Sequence, residues 1–240
     1  MKKKLFLLAI SILLTCTYAN AQVLIGLLFG DKLNSPRTEF GLNLNLNHCN
    51  ISDISNPEYK RALGFGLFFD FKITDNWVFG SSLFFLSPKG VENFNKSESF
   101  YGYFADSSFI DATTTRKMNY FEIPLFMKYQ LKSGFGLAAG FNVGLQTSSS
   151  DIIINSVYEG TSGYKADVKD NFNLFHLEAM AGLHYHFRGD PGAQIRLNYL
   201  YGLTNVYKDE SGREGFSRII QIGVTIPMKF GVTSAVNEKE

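Results

Sequence analysis

Residues 119–144 constrain the fold of this chain more than any other stretch. Large apolar side chains occupy every second position over 121–131 and again over 135–145, opposite glycine, amide and charged residues. This period of two predicts a hairpin of two long strands joined by a tight turn at 132–134. A soluble sandwich buries its bulky face, whereas a membrane barrel turns that face toward lipid and fills its lumen with small or polar residues. The pattern therefore favours a membrane barrel.

The same alternation recurs along the chain and predicts eight strands. They begin near residues 38, 62, 77, 119, 135, 177, 194 and 220. The connections after the second, fourth and sixth strands are short, and the others form long polar loops at 50–59, 88–116, 147–171 and 205–215. Tight periplasmic turns and extended external loops are typical of outer-membrane barrels. The predicted fold is all-β, an eight-stranded antiparallel up-and-down transmembrane β-barrel over 38–230. Apolar residues on both faces leave the phase of the third strand open.

Charged residues in the predicted strands segregate to the inward face, and no Asp, Glu, Lys or Arg occupies an outward position. This is expected if the outward face meets hydrocarbon, where Lys or Arg near the midplane costs about 2–4 kcal/mol. The predicted lumenal polar cluster comprises Asp70, Glu122, Lys128, Glu178, His184, His186, Arg196 and Lys229. Aromatic residues near the strand ends predict a periplasmic girdle, which comprises Phe40, Phe71, Trp77, Tyr129, Phe135, Phe187 and Phe230.

Residues 1–21 have the features of a secretory signal peptide. Lysines at 2–4 precede an apolar run over 5–14, and Ala19-Asn20-Ala21 supplies the cleavage pattern. The apolar run is too short to span a bilayer. We therefore expect the mature chain to begin at Gln22 and to reach the bacterial outer membrane.

Two segments flank the predicted barrel. Residues 22–37 could form an extra strand, a short helix that plugs the barrel mouth or a periplasmic lead-in, and periodicity does not distinguish these. Residues 231–240 form a polar tail. The net charge of +1 gives no reason to expect nucleic acid as a partner. The expected partners are outer-membrane lipid and an envelope protein reached through the external loops.

His184, His186 and Glu178 come closest to a catalytic arrangement, because they share the inward face of one predicted strand. No nucleophile motif accompanies them, and a third and fourth metal ligand cannot be assigned. Polar filling of a narrow eight-stranded lumen accounts for the same residues, and such a lumen leaves room for little besides side chains. We predict a structural or binding barrel with no enzymatic activity, cofactor, metal site or open pore. A lipid-modifying enzyme and a small-solute transporter are the alternatives.

Two motifs carry a resemblance to a known family. They are Tyr120-Phe121-Glu122-Ile123-Pro124-Leu125 with Lys128-Tyr129, and Tyr199-x-Tyr201-Gly202-Leu203-Thr204-Asn205 before the last predicted strand. They resemble the PorT-like outer-membrane β-barrel family of Gram-negative bacteria over roughly residues 40–230. The resemblance implies a barrel in the outer membrane and, through the name-giving member, a link to protein secretion. Its motifs are structural and imply no activity, and segment 22–37 departs from the family's usual short lead into the first strand.

Overall fold

The computed structural model describes residues 34–55, 57–100, 112–157, 160–187 and 192–228. Its strands are β1 (Thr38–Ile51), β2 (Glu58–Lys72), β3 (Trp77–Asn95), β4 (Thr113–Gln130), β5 (Phe135–Val157), β6 (Gly160–Asp167), β7 (Phe175–His186), β8 (Gln194–Gly202) and β9 (Ser217–Pro227). Short 3-10 turns occur at Lys96–Glu98, Lys169–Asn171 and Asp209–Ser211. None of the described segments contains a helix long and apolar enough to cross a membrane. The predicted signal peptide, the polar tail, Lys229 and Phe230 lie outside the described residues.

Eight of the strands close into a ring, as predicted. Each pairs antiparallel with its neighbours in the order β1, β2, β3, β4, β5, β7, β8, β9, and β9 pairs again with β1. The ninth strand, β6, stands outside this ring and pairs with the last part of β5, from Ser150 to Val157. Closure satisfies the backbone of every ring strand on both sides, which is the condition for crossing a bilayer as β structure.

Exposure alternates along the strands, with apolar side chains outside. On β4, Ile123, Leu125 and Met127 are exposed, whereas Glu122 and Lys128 are buried. The third strand, whose phase the sequence left open, begins with the same alternation: Trp77 and Phe79 are exposed and Val78 is buried. The barrel therefore has an apolar outer wall and a lumen filled by side chains.

The short turns lie together at one end of the barrel, which we call the short-turn end. Residues 73–76 join β2 to β3, and residues 131–134 join β4 to β5. In the second turn Gly134 adopts a left-handed φ of 98°, a conformation that glycine takes without steric cost. The β7–β8 connection lies at the same end, where His186 N donates to Gly134 O. The opposite end, which we call the long-loop end, carries the connections that follow β1, β3, β5 and β8.

Two predicted loops are wrong in extent. β3 continues to Asn95 and β4 begins at Thr113, so much of the predicted loop 88–116 is strand. β5 continues to Val157 and is followed by β6, so most of the predicted loop 147–171 is strand as well. The polar composition of these segments does not prevent strand formation, because their outer faces lie beyond the apolar wall.

β3 continues through two bulges that change which residues face inward. Phe84 pairs with Glu122 and Ser87 with Tyr120, so β3 holds one extra residue there. A second extra residue follows Val91, where a neighbouring asparagine has a φ of 51°. Each extra residue reverses the facing of the positions that follow it. After the first bulge, the odd-numbered Ser87 and Val91 are buried, whereas the even-numbered Phe84 is buried before it.

β5 contains a comparable irregularity at Thr147. Asn119 pairs with Ser148, but the next residue, Tyr120, pairs with Gln146. The extra residue turns the odd-numbered positions inward, and Asp151 beyond it is fully buried. Sequence alternation breaks at this bulge and at the first bulge of β3, which is where the predicted strands ended.

Candidate functional site

β4 carries three inward-facing charged residues at intervals of six. They are Lys128, Glu122 and Arg116, all buried. Six residues span roughly 20 Å of strand, so the three side chains enter the lumen at well-separated levels. Each belongs to a different polar network, which we call the short-turn, middle and long-loop networks. Phe126 lies between the first two levels on β4, and Met118 lies between the last two.

The short-turn network is centred on Asp70. Lys128 Nζ lies 2.8 Å from Asp70 Oδ2, and Arg196 Nη2 donates to both carboxylate oxygens of Asp70 at 3.2 and 3.1 Å. Lys128 also donates to Gln194 Oε1 at 3.0 Å, and Gln194 Nε2 donates to Glu39 Oε2 at 3.2 Å. The two acids and two bases cancel in formal charge, so the lumen gains no net charge at this level.

A cavity of about 100 Å³ opens beside this network at the short-turn end. Glu39, Asp70, Lys128 and Gln194 line its inner side, and His186 lies in its wall. His186 Nε2 lies 3.1 Å from the backbone oxygen of Gly192. The cavity thus ends on side chains that are already engaged with one another.

The middle network joins Lys89 to two carboxylates. Lys89 forms ion pairs with Glu122 and with Glu178, the latter at 2.8 Å. Asn142 Nδ2 donates to Glu122 Oε1 at 2.9 Å and to Glu178 Oε2 at 2.7 Å. Ser87 Oγ also donates to Glu122. All five side chains are buried, and paired charges are the form in which a lumen tolerates ionised groups.

A serine, a histidine and a carboxylate also meet in the middle network. His176 Nε2 lies 2.9 Å from Glu178 Oε1 and 2.9 Å from Ser217 Oγ, and Ser217 Oγ donates to Glu178 Oε1 at 2.7 Å. A Ser-His-acid triad needs the serine and the acid on opposite ring nitrogens. Here both lie at the same nitrogen, and the other nitrogen is 3.3 Å from Thr204 Oγ1. The arrangement is that of a buried hydrogen-bond network.

The long-loop network is built on a bidentate ion pair. Arg116 donates through Nε and Nη2 to the two carboxylate oxygens of Asp151, each at 2.8 Å. Its Nη1 donates to Tyr207 Oη at 2.9 Å, and Tyr207 Oη donates to Asp53 Oδ1 at 2.9 Å. Arg213 Nη2 completes the chain at 2.6 Å from Asp53 Oδ2. Residues of β4, β5 and two connections are therefore tied together across the long-loop end.

Aromatic rings enclose the Arg116 guanidinium. Its carbon lies 5.0 to 5.7 Å from the ring centroids of Phe94, Phe100, Phe172 and Tyr207. A cation–π contact of a desolvated arginine contributes about 2 kcal/mol. Burial raises the pKa of the Tyr207 phenol well above its usual range, so Tyr207 remains a hydrogen-bond donor to Asp53. Rings and ion pairs together fill the lumen at this level.

The structure distributes the predicted lumenal cluster over separate networks. Asp70, Lys128 and Arg196 meet in one, and Glu122 and Glu178 in another. His184 joins neither, because its Nε2 contacts Asn198 Oδ1 at 2.9 Å and its ring packs edge-on against Phe126. The charged and titratable members that the prediction omitted are Glu39, Asp53, Lys89, Arg116, Asp151, His176, Tyr207 and Arg213. Within the described ranges, no group of three or more metal-ligating side chains is arranged to hold an ion.

Five described members of the predicted girdle lie on the outer wall near the short-turn end. They are Phe71, Trp77, Tyr129, Phe135 and Phe187, all exposed. The Trp77 and Tyr129 rings meet edge-to-face, with centroids 5.0 Å apart. Phe40 differs from the other five, since it is only 8% exposed. Its backbone oxygen accepts a hydrogen bond from Met228 N, where the end of β9 meets β1.

A sequence profile of the family described as "Outer membrane protein beta-barrel domain" matches residues 23–208. The chain belongs to this family. The exposed apolar wall and the closed ring agree with this family match. The protein therefore resides in the bacterial outer membrane. Outer-membrane barrels keep their short turns in the periplasm, so the long-loop end of this family member faces outward. The predicted fold class and location are confirmed.

Solved structures similar to this family member are themselves outer-membrane or surface proteins. Ail, the attachment invasion locus protein of Yersinia pestis, is 11% identical, with 80% of this chain and 99% of Ail covered and a TM-score of 0.44. Neisserial surface protein A is 13% identical, with 79% and 97% covered and a TM-score of 0.43. OprG from Pseudomonas aeruginosa is 10% identical, with 79% and 91% covered and a TM-score of 0.38. A search among curated proteins finds no match.

Proposed function

We propose that this outer-membrane barrel works by binding a partner at its external end and does not conduct solutes through its lumen. The observation that carries the proposal is the filling of the lumen at three levels by the networks of Lys128, Glu122 and Arg116. An eight-stranded barrel has room inside for little more than side chains. The lumen is therefore used for stability, and the surface left for recognition is outside.

The external end offers a surface of the right kind. β3, β4 and β5 continue past the apolar wall, and β6 adds a fourth strand at the edge of β5. Arg116 and Asp151 pair β4 with β5, and Phe94 packs against the same guanidinium. A projecting sheet held by such contacts presents its connecting segments from a rigid support, the usual arrangement for binding loops.

Catalysis is less well supported. Ser217 and Glu178 both contact the same ring nitrogen of His176. Among the described residues, His184 contacts Asn198 and no carboxylate lies at hydrogen-bond distance from it. All four ionisable or nucleophilic side chains are buried in the lumen, whereas lipid acyl chains contact the outer wall. We therefore place binding ahead of a lipid-modifying activity.

Small-solute transport is the other alternative, and the cavity at the short-turn end is the feature that favours it. The cavity is small, and its inner wall is formed by Asp70 and Lys128, which are bonded to each other. A solute that entered would have to separate this ion pair and then the middle network. Bilayer conductance, described below, tests this alternative.

Replacing residues 101–111 with a short glycine-serine linker tests external binding. This deletion leaves Phe100 and Ala112 in place, because both lie in the packed external region. We expect heat-modifiable mobility and surface exposure to remain, and chemical crosslinking to a protein partner in intact cells to be lost. A matched variant, with Lys132 and Ser133 of the periplasmic turn replaced by glycine, should retain the crosslink. Loss in both variants, or in neither, would contradict the proposal.

The partner class that we propose is an envelope protein, within an assembly of the kind implied by the PorT-like resemblance. Its support is the pair of motifs around Glu122 and Tyr201, which are structural. Mass spectrometry of the crosslinked species in wild-type cells would identify the partner. An envelope or secretion component supports the assembly, and a crosslink only to unrelated abundant proteins would oppose it.

A further inference from the structure

The outer wall carries two arginines and a histidine just beyond the apolar belt, on the side formed by β1, β2 and β9. We define the cationic patch as His48, Arg61 and Arg218. His48 pairs directly with Arg61 across β1 and β2. Arg218 of β9 pairs with Asn50, which lies two residues beyond His48 on β1. Strands are spaced about 4.8 Å apart, so the backbones of Arg61 and Arg218, two strands apart, are separated by roughly 10 Å across the sheet, and the two side chains flank the space above β1.

The patch follows the lipid-facing residues of the same strands. Moving outward, β1 passes from Leu46 to His48, β2 from Leu63 to Arg61, and β9 from Ile220 to Arg218. The three apolar residues are 42%, 71% and 43% exposed, as expected of side chains that meet acyl chains. The three patch residues therefore lie at the level where headgroups begin, on the external side of the membrane.

Aromatic contacts hold two of the patch residues in place. The Arg218 guanidinium lies 3.7 Å from the ring centroid of Tyr201, and its Nη1 donates to the backbone oxygen of Ser217 at 2.8 Å. The His48 ring stacks on Tyr59 with centroids 4.4 Å apart and an interplanar angle of 6°. Tyr201 lies on β8 and Tyr59 on β2, so these contacts hold the His48 ring toward β2 and the Arg218 guanidinium toward β8.

In the described part of the chain, neither Arg61 nor Arg218 forms an ion pair, although Lys60 beside Arg61 is paired with Glu92. Arginine suits phosphate in particular, because its planar donors match two phosphate oxygens. We propose that the cationic patch binds the phosphate of an anionic lipid in the external leaflet, with the acyl chains lying along the apolar belt below it. This site is separate from the loops proposed to capture a protein.

Native mass spectrometry of the intact mature barrel tests the site, with lipid A as the anionic probe and phosphatidylcholine as the zwitterionic one. The wild type should retain lipid A in preference to phosphatidylcholine. Arg61→Gln with Arg218→Gln should weaken lipid A retention by about 30-fold, the effect expected from two membrane-surface cations. Arg61→Lys with Arg218→Lys should restore only part of it, because lysine keeps the charge but lacks the planar pair of donors. Heat-modifiable mobility confirms folding in each variant.

Lys117→Gln is the matched control, because Lys117 is an exposed outward cation on β4, away from the patch. It should leave lipid A retention unchanged. Equal losses in the control and the double variant, or no loss in the double variant, would overturn the proposal. Displacement of lipid A by millimolar-range inorganic phosphate would also overturn it, since the site would then serve a free anion.

Discussion

The membrane-spanning half of the barrel and its external half place polar and apolar residues in opposite ways. In the membrane half the outer wall is apolar, as at Leu125, and the lumen holds the charges of Asp70 and Lys128. In the external half the lumen holds a cluster of rings around Arg116, and the outer face carries polar residues such as Lys117. The external half is built like a water-soluble protein on top of a membrane protein.

The two halves are therefore stabilised by different forces. Water around the external half makes burial of Phe94, Phe172 and Tyr207 favourable through the hydrophobic effect. In the membrane half lipid removes that driving force, and the ring is maintained by backbone pairing and by the short-turn and middle networks. The networks differ as well, since Asp70 has two cationic partners and Asp151 has one.

The largest expected effect follows from the different numbers of cations that pair with Asp151 and with Asp70. Arg116→Met leaves Asp151 buried without its cation, and breaking a buried pair in this way costs about 3–5 kcal/mol. Lys128→Met should cost clearly less, because Arg196 still donates to Asp70. Hydrogen exchange of the strand amides measures both variants: β5 and β6 should lose protection in the first, and the second should change little. Equal losses of protection in the two variants would mean that Arg196 does not compensate for the loss of Lys128 at Asp70.

Arginine substitutions on the outward face of β4 compare lipid and water directly as the surroundings of the barrel. Leu125→Arg places a charge in lipid and should reduce the free energy of unfolding by about 2–4 kcal/mol. Thr115→Arg lies on the same face of the same strand but in the external half, where surface changes stay within about 0.5 kcal/mol. Urea titration of refolding into vesicles, followed by gel mobility, gives both values. If both variants are destabilised alike, the boundary between lipid and water is misplaced.

A smaller and local effect is expected at the phenol that joins the long-loop network. Tyr207→Phe removes a hydroxyl that accepts from Arg116 and donates to Asp53, a loss of about 1–3 kcal/mol for buried groups left unpaired. Proteolysis of the external strands should accelerate, with no change in the heat-modifiability of the barrel. Tyr199→Phe on the exposed face of β8 is the control and should leave proteolysis unchanged.

The same division explains what the sequence could predict. In the membrane half the apolar wall imposes a strict period of two, which is enough to predict the ring and to turn Asp70, Lys128 and Arg196 inward. Which inward residues meet depends on strand stagger, and periodicity says nothing about stagger. The contact of Lys128 with Asp70, and that of Lys89 with Glu178, therefore needed the structure.

In the external half the period itself is interrupted. The bulges before Ser87 and at Thr147 reverse the facing of Lys89 and Asp151, so both were predicted to lie in loops. The alternation could have predicted two other inward-facing residues. Arg116 lies six positions before Glu122 with the same parity, and His176 lies two positions before Glu178 on β7. Extending those two strands by their alternation would have included them.

Conductance of the purified mature protein in planar bilayers tests the central claim, that the lumen is filled at every level and serves stability rather than passage. The account predicts no stable single-channel steps for the wild type. It predicts none for the variant with residues 101–111 replaced either, because the short-turn and middle networks remain in place. Reproducible, porin-sized steps in the wild type would contradict a filled lumen and would place solute transport ahead of external binding.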